Sequence, residues 1–508
     1  MPSKSTDWAP GPPPGSDRAE QIEMLAASPP TLLALVNLRR IFPIVLFTGV
    51  ASLAVQHTVD PDMWWHLRTG ELIVSSGIPR QDVFSYTASA NEWVAHEWLS
   101  QVVMWLTYRA GGLVALMILF AVIVTATFAI VYRMSPGKPN IASLATLVAA
   151  GGTAAVWGVR VQLVNLLLLA VFLLLLERRK DGSIGGWVWF AFPALTLLWV
   201  NLHSGYLLGV AALGAYLAGE LIELRTTHHD PRTLPARDVA RLGASIASCL
   251  GAALVNPNGA RMLVYPFETL GSTVQRRFIT EWHPPSPDQP VFWLLVLLVL
   301  FGIGGMLRSP ARPSATELLM FAGTAVGAAL SARNVPIFAV VAGPILARHW
   351  SAALGFVERE RPRGRLDRQT ALAATAIAAR GIAVAATTIA SNDEAVDASL
   401  PVAAVDWLDD RSGSGRVFNA YGWGGYLIWR GYPVFIDGRA DVYRDQGLLD
   451  FAAIYYAADG WQGKLDAAAV DYVLVERGST LGQVLRGDPG WQTAYEDRIA
   501  TVFTRPGS

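Results

Sequence analysis

The chain has 508 residues, 52 % of them hydrophobic and only 16 % charged, with a mean hydropathy of +0.35. A charged fraction well below the ~25 % of soluble proteins excludes disorder, collagen and coiled coil for the bulk of the chain, and 40 basic against 40 acidic residues exclude a global nucleic-acid-binding charge. The single cysteine, Cys249, forbids an intramolecular disulfide, and a polytopic α-helical membrane protein is the class that remains.

Residues 1–37 carry Pro10-Gly11-Pro12-Pro13-Pro14-Gly15 and no sustained apolar run, and read as a flexible cytoplasmic tail. The first apolar run begins at Ile41 behind Arg39 and Arg40, too far along for a cleavable signal, so it reads as an uncleaved first helix with its basic flank inside. A helical crossing takes ~20 mostly apolar residues. Eleven segments qualify, near 41–57, 111–131, 141–158, 162–176, 187–202, 205–224, 239–256, 291–307, 315–331, 335–350 and 371–390. The fourth is short and the tenth carries Pro344, so the count is about eleven. With the N-terminus inside, Arg and Lys concentrate on the cytoplasmic loops, as at Arg178-Arg179-Lys180 and between Arg359 and Arg368. An odd number of crossings leaves everything after Ala390 outside.

The chain therefore divides into the tail 1–37, a transmembrane module 38–390 with a long first outer loop 58–98, and an extracytoplasmic domain 391–508. That last segment holds 17 acidic and 10 basic residues and is the chain's acidic part. Turn signals (Gly424-Gly425, Asp437-Gly438) alternate there with strand-like runs at Arg416–Phe418, Pro433–Ile436, Tyr472–Val475 and Thr501–Thr504, and Leu448–Ala458 reads as helix. A small α/β domain is expected.

The polar chemistry falls on one side. The outer loops carry VDPDMWWHLRTGELI and NEWVAHEWL, then Arg160-Val161-Gln162, Asn201-Leu202-His203-Ser204, Asn256-Pro257-Asn258-Gly259, Glu281-Trp282-His283 and Arg333-Asn334, whereas the inner loops are merely basic. Polar groups gathered at helix ends on one membrane face usually mark a substrate path. In the first loop Asp60 and Asp62 flank Pro61, a residue suited to a first helical turn, which puts Asp62 and His66 on one face. With His96 and Glu97 these residues make a set for a hard divalent cation or for a general base with its orienting partners; helix capping is the plainer use of the same acids. Trp64, Trp65, Trp93, Trp98, Trp157 and Trp282 fit an aromatic belt or sugar stacking. Arg160 and Arg333 fit snorkelling residues or phosphate clamps, with Asn334 adding hydrogen bonds beside Arg333. His203 and Asn201 serve equally to tie helices or to touch substrate, and Asp437-Gly438-Arg439-Ala440-Asp441 reads as a turn with local ion pairs or a ligand-facing loop.

An inside N-terminus, an acidic motif in a long first outer loop and a C-terminal domain outside together resemble the GT-C superfamily of polytopic glycosyltransferases. The segment DPDMWWHLRTGE … HEWL, with NLHSG, NPNG, EWHPP, SARNVP and YGWGGYLIW … FIDGRADVY, is similar to bacterial GT-C-like membrane proteins over most of 41–445. Only the acidic motif maps onto GT-C function. The resemblance implies an enzyme of the bacterial inner (plasma) membrane. It would transfer a sugar, with inversion, from a polyprenyl-phosphate-linked donor to a glycan, lipid or protein acceptor of the envelope on the outer face. A first-loop Asp would act as general base, Asp62 ahead of Asp60 because of His66. Glu97, His96, Arg160, His203, Arg333 and Asn334 would bind substrate, with Arg333 or Arg160 neutralising the leaving phosphate. A magnesium or manganese ion on Asp60, Asp62 and Glu97 is a further expectation. The chain departs from the common pattern in having Asp-Pro-Asp with neighbouring histidines. A transporter or flippase predicts charges near mid-membrane and a repeated half, and neither is visible. A ligase or polymerase predicts its key Arg and His in a late outer loop, and a non-catalytic receptor is the remaining alternative.

Overall fold

The apolar segments fold as helices that break where glycine or polar loops interrupt them. The computed structural model describes residues 37–226, 230–356, 366–411 and 415–506; the expected tail, Asn37 apart, and the basic positions Arg359 to Arg365 lie outside the described residues. The helices run α1 (Leu38–Leu53), α2 (Pro61–Ser76), α3 (Trp98–Met134), α4 (Pro139–Gly151), α5 (Leu163–Lys180), α6 (Val188–Leu202), α7 (Leu207–Glu223) and α8 (Ala236–Ala252). After these come α9 (Arg261–Gly271), α10 (Thr273–Phe278), α11 (Pro290–Arg308), α12 (Ala315–Leu330), α13 (Val335–Ala353) and α14 (Arg368–Ala390). A helix lies over each expected apolar segment. Among the described residues, five stretches are long and apolar enough to cross a membrane: Trp98–Met134, Ser204–Glu223, Pro290–Arg308, Ala332–Ala353 and Arg368–Ala390. Pro139–Gly151, Val188–Leu202 and Ala315–Leu330 are apolar but shorter.

In α3 the Gly111-Gly112 pair leaves helical geometry, with Gly112 at φ 64°, a conformation glycine adopts at little cost. The break separates a first stretch, which packs on α2, from the apolar run beyond it. The Ala332–Ala353 stretch, mostly α13, is central, with 72 % of its apolar window buried, whereas none of the Arg368–Ala390 window is buried. Small residues allow close approach at the centre: a Cβ on Gly343 would stand 3.1 Å from that of Ala149 in α4.

Beyond α14 the chain forms α15 (Asn392–Ser399) and α16 (Val402–Asp409), then a four-stranded sheet with α17 (Gly424–Trp429), α18 (Ala440–Tyr455), α19 (Trp461–Ala467) and α20 (Thr480–Leu485). The strands β1 (Val417–Asn419), β2 (Tyr472–Glu476), β3 (Gln492–Glu496) and β4 (Ala500–Thr504) lie in the order β1-β2-β4-β3; only β1 and β2 are parallel. Three of the four expected strand runs fall on β1, β2 and β4. The fourth, Pro433–Ile436, supplies only isolated bridges, from Val434 to Val417 and to Ser85. β3 escapes a hydropathy reading because QTAYE is half exposed and mostly polar. The expected helix from Leu448 begins earlier, at Ala440.

The first loop is stitched to this sheet. Val434 N–H donates to the Phe84 carbonyl (3.0 Å) and Tyr86 N–H to the Val434 carbonyl (3.2 Å). Tyr86 OH reaches the Val417 carbonyl at 3.0 Å, and Asn91 Nδ2 the Val442 carbonyl at 2.8 Å. Residues 80–91 thus extend the sheet system and set α2 directly beneath it.

Candidate functional site

The site is built on the first turn of α2. Asp60 caps the helix, its Oδ1 accepting from Asp62 N–H at 3.0 Å, and Pro61 starts the turn where its missing N–H costs nothing. The cap's second oxygen holds Arg160: Nε donates to Asp60 Oδ2 at 2.5 Å, while Arg160 Nη1 donates to Glu281 Oε1 at 2.8 Å. These two carboxylates raise the guanidinium pKa against the opposing effect of burial. Asp62 has no such cation. Its Oδ1 accepts from Trp65 Nε1 at 3.0 Å, and burial, with the neighbouring Asp60 charge adding, pushes its carboxyl up to about 7. The expected Asp62–His66 pairing is replaced by this indole contact, because His66 turns toward α3.

There His66 joins an unusual cluster. Glu97, 5 % exposed at the start of α3, stands 3.6 Å from His66 Nδ1, 3.3 Å from His96 Nε2 and 3.0 Å from His203 Nε2. Hydrogen bonds around the rings assign their protons. His203 Nδ1 accepts from the Gly205 N–H (2.9 Å), so its proton sits on Nε2, toward Glu97. His96 Nδ1 faces the Val94 carbonyl (3.2 Å) while Nε2 faces Glu97, an arrangement that favours the imidazolium. Burial alone would lower the His96 pKa, but Glu97 outweighs it and the pKa rises. Burial would raise Glu97, yet His96 and His66 hold it well below the usual carboxylate range. Burial drives His66 down to about 4 and also lowers His203. Gln101 Nε2 lies 3.3 Å from His66 Nδ1, and Asn165 braces His203 at 3.2 Å.

The C-terminal segment closes over the aspartates. A methyl on Gly438 would overlap Asp62 Oδ1, and one on Gly425 would overlap the Pro61 carbonyl, so glycine is what lets this loop and α17 approach α2. The next residue, Arg439, is 2 % exposed and grips Asp437 in a fork (Nε–Oδ1 2.8 Å, Nη2–Oδ2 2.6 Å) while Nη1 reaches Asp82 of the first loop at 2.7 Å. The guanidinium lies 4.6 Å from the Trp93 ring centroid and 5.1 Å from that of Phe84. From sequence this motif reads as a turn with local ion pairs or a ligand-facing loop; the structure shows the ion pairs. The pairing with Asp82, more than 350 positions away, has no local signal.

Arg333 differs from Arg160. It is half-buried, makes no ion pair among the described residues, and lies 6.0 Å from the Trp282 ring centroid. The Trp282 Nε1 is buried without a hydrogen-bond partner, and the Arg333 charge contributes to lowering His203. Asn334 is spent on the Gly327 carbonyl (3.0 Å), and Asn201 ties helices through Trp98 Nε1 (2.9 Å) and the Val255 carbonyl (3.0 Å). Most tryptophans of this face are packing residues: Trp64 against Tyr426, Trp93 against Arg439, Trp157 on Thr153.

The set Asp60, Asp62 and Glu97 does not fit a divalent cation as arranged. Asp60 is committed to Arg160 and its cap, Glu97 is ringed by imidazoles, and His203 turns a protonated nitrogen inward. Among the described residues no group of three His, Cys, Asp or Glu side chains stands ready to hold a metal.

No protein-family model matches the chain, and no curated protein matches it by sequence. In fold it is similar to the crystal structure of the oligosaccharyltransferase of Archaeoglobus fulgidus in the apo form, with a TM-score of 0.52 and 13 % identity over 85 % of this chain and 69 % of that one. At that identity the likeness is one of fold alone, a helical bundle carrying a small C-terminal sheet.

Proposed function

We propose that the protein is a membrane glycosyltransferase that moves a sugar, with inversion, from a polyprenyl-phosphate-linked donor to an envelope acceptor. On this reading all eleven apolar helices cross a bacterial inner membrane, the N-terminus is cytoplasmic, and the sheet lies outside. The observation that carries the proposal is the pairing of two unlike acids at the head of α2. Asp60 is tied to Arg160 and to the helix cap, whereas Asp62, pushed up to about 7 by burial, can take a proton near neutral pH. A buried general base poised near the working pH is what activation of an acceptor hydroxyl requires.

In the proposed step the acceptor oxygen bonds to the anomeric carbon as its proton passes to Asp62. The bond from that carbon to the phosphate oxygen breaks, and the polyprenyl phosphate leaves with the electron pair. A single displacement inverts the centre. Arg333, with no carboxylate partner among the described residues, faces the leaving phosphate with the Trp282 indole N–H beside it. Arg160 serves to fix Asp60, and no step is routed through a metal.

The test is complementation of a deletion strain with Asp62→Asn, followed by lipid and glycan profiling. Accumulation of a polyprenyl-phosphate sugar, as in the deletion itself, supports the assignment; a normal profile from a well-expressed variant overturns it.

A further inference from the structure

Two adjoining depressions of about 500 and 560 Å³ lie against the first loop and share Glu92 and Arg444. The first is walled by the loop, α9 and α18, and has Tyr265 and Asp441 among its lining residues; the second continues to Arg80. Each falls in the size class that takes a small organic ligand (roughly 300–1,000 Å³), and joined they make an elongated groove. The Tyr265–Asp441 end adjoins the histidine cluster: Tyr265 OH donates to Asp441 Oδ2 at 3.1 Å, and its ring centroid is 4.8 Å from that of His96, the residue beside Glu97. Asp441 itself follows three positions after Gly438, whose backbone rests on Asp62.

The lining sets the chemistry. It is made largely of carboxylates, guanidinium groups and amides, with few apolar side chains to anchor a lipid. Arg261 is neutralised by Glu92 (2.9 Å) and Glu268 (3.3 Å), which leaves mixed donors and acceptors of no dominant sign along the wall. Sugar hydroxyls both donate and accept, so a hydroxyl-rich chain can satisfy such a wall. We propose that this groove is an acceptor subsite and that its occupant is a neutral oligosaccharide or glycan strand, lying with its reacting end at Tyr265 and Asp441. The inference rests on the glycosyl-transfer reading and adds to it the class of acceptor.

The test uses the full chain in lipid nanodiscs and saturation-transfer NMR with chitotetraose, cellotetraose and maltotetraose, and with an Ala-Gly-Ser-Thr tetrapeptide as control. At least one tetrasaccharide is expected to receive saturation. Glu92→Ala or Asp445→Ala should weaken that binding about tenfold, the loss expected for one hydrogen bond to a charged group. Silence from all three sugars, signals indifferent to both groove variants, or variant-sensitive binding of the peptide instead would overturn the proposal. Failure of the catalytic reading shows separately, as a normal glycan profile from Asp62→Asn.

Discussion

The two ends of the helical bundle both bury charge, and they treat it differently. At the end away from the sheet, Lys180 and Glu220 pair with side chains 1 % and 0 % exposed, and Glu220 also accepts the Leu234 N–H at 2.7 Å. Asp238, fully buried, takes Arg179 and Arg241, and Arg232 joins Glu177 (2.9 Å), Asp181 (3.3 Å) and Asp230 (3.3 Å). Glu223 accepts from the Ala315 and Asp230 N–H groups at 2.6 and 2.8 Å. Each of these carboxylates meets a cation or a backbone donor. At the sheet end Arg439 is matched by Asp437 and Asp82 and Arg160 by Asp60 and Glu281, but among the described residues Asp62 meets only an indole N–H, Glu97 is ringed by three imidazoles, and Arg333 has no acid. Matched charge holds helices together, whereas mismatched charge stores reactivity and leaves room for a ligand's own charge.

The largest expected effect tests the mismatched end. Asp62→Asn should cost about 10²–10⁴-fold in transfer rate, the range for loss of a general base. It should do so without lowering the melting temperature. A carboxyl whose folded pKa lies above its unfolded value destabilises as pH rises from the unfolded toward the folded pKa. The variant's melting temperature relative to the parent should therefore be higher at pH 8 than at pH 4. A variant that melts earlier at both pH values would place Asp62 among the structural acids and erase the contrast.

The matched end should behave in the opposite way. Lys180→Met strands the Glu220 carboxylate and should cost about 3–5 kcal/mol of stability, read as loss of folded protein in thermal or protease challenge. Adding Glu220→Leu should recover most of that loss. If the single variant were fully stable but slow in transfer, the division of labour between the two ends would fail.

A smaller effect is expected at Arg333. Arg333→Ala should raise the donor KM by roughly tenfold to a hundredfold, the value of one charge-assisted contact, with little change in melting temperature. Arg160→Ala should instead hurt stability as well as rate, since it strands Asp60 and Glu281.

Much of this contrast is written locally in the chain. Asp60-Pro61-Asp62 announces a capped helix, and the apolar runs announce the helices, because caps and hydrophobic faces depend on neighbours a few positions away. The sequence prefers Asp62 to Asp60 because of an expected partner, His66, that the fold places elsewhere. Helical spacing put His66 beside it, whereas α3 draws His66 away toward Gln101 and Glu97. Long-range pairing is what sequence leaves unread: Arg160 with Asp60, Arg439 with Asp82, and Gly438 against Asp62 each join segments at least a hundred positions apart. In the bundle, fourteen helices precede Ser391 among the described residues but only five stretches reach crossing length, because several apolar helices are short and pack against longer neighbours.

The finest test asks whether the sheet sets the reactivity of the acid it covers. A methyl at Gly438 would overlap Asp62 Oδ1, so Gly438→Ala must move the loop or the carboxyl and admit water between them. Burial is the first cause of the elevated Asp62 pKa and the Asp60 charge the second. Loosening the cover weakens the first and leaves the second, so the midpoint should fall from about 7 by roughly one unit. A base works when ionised, and the rate should rise with pH through that midpoint. His66, held near 4, stays neutral across the range and adds no limb of its own. The variant should be slower at pH 8 because the acid is displaced, yet its ratio of rate at pH 6 to rate at pH 8 should exceed the parent's. A purely structural glycine would lower both rates in proportion. An unchanged ratio would assign Gly438 to packing alone and detach the sheet from the chemistry beneath it.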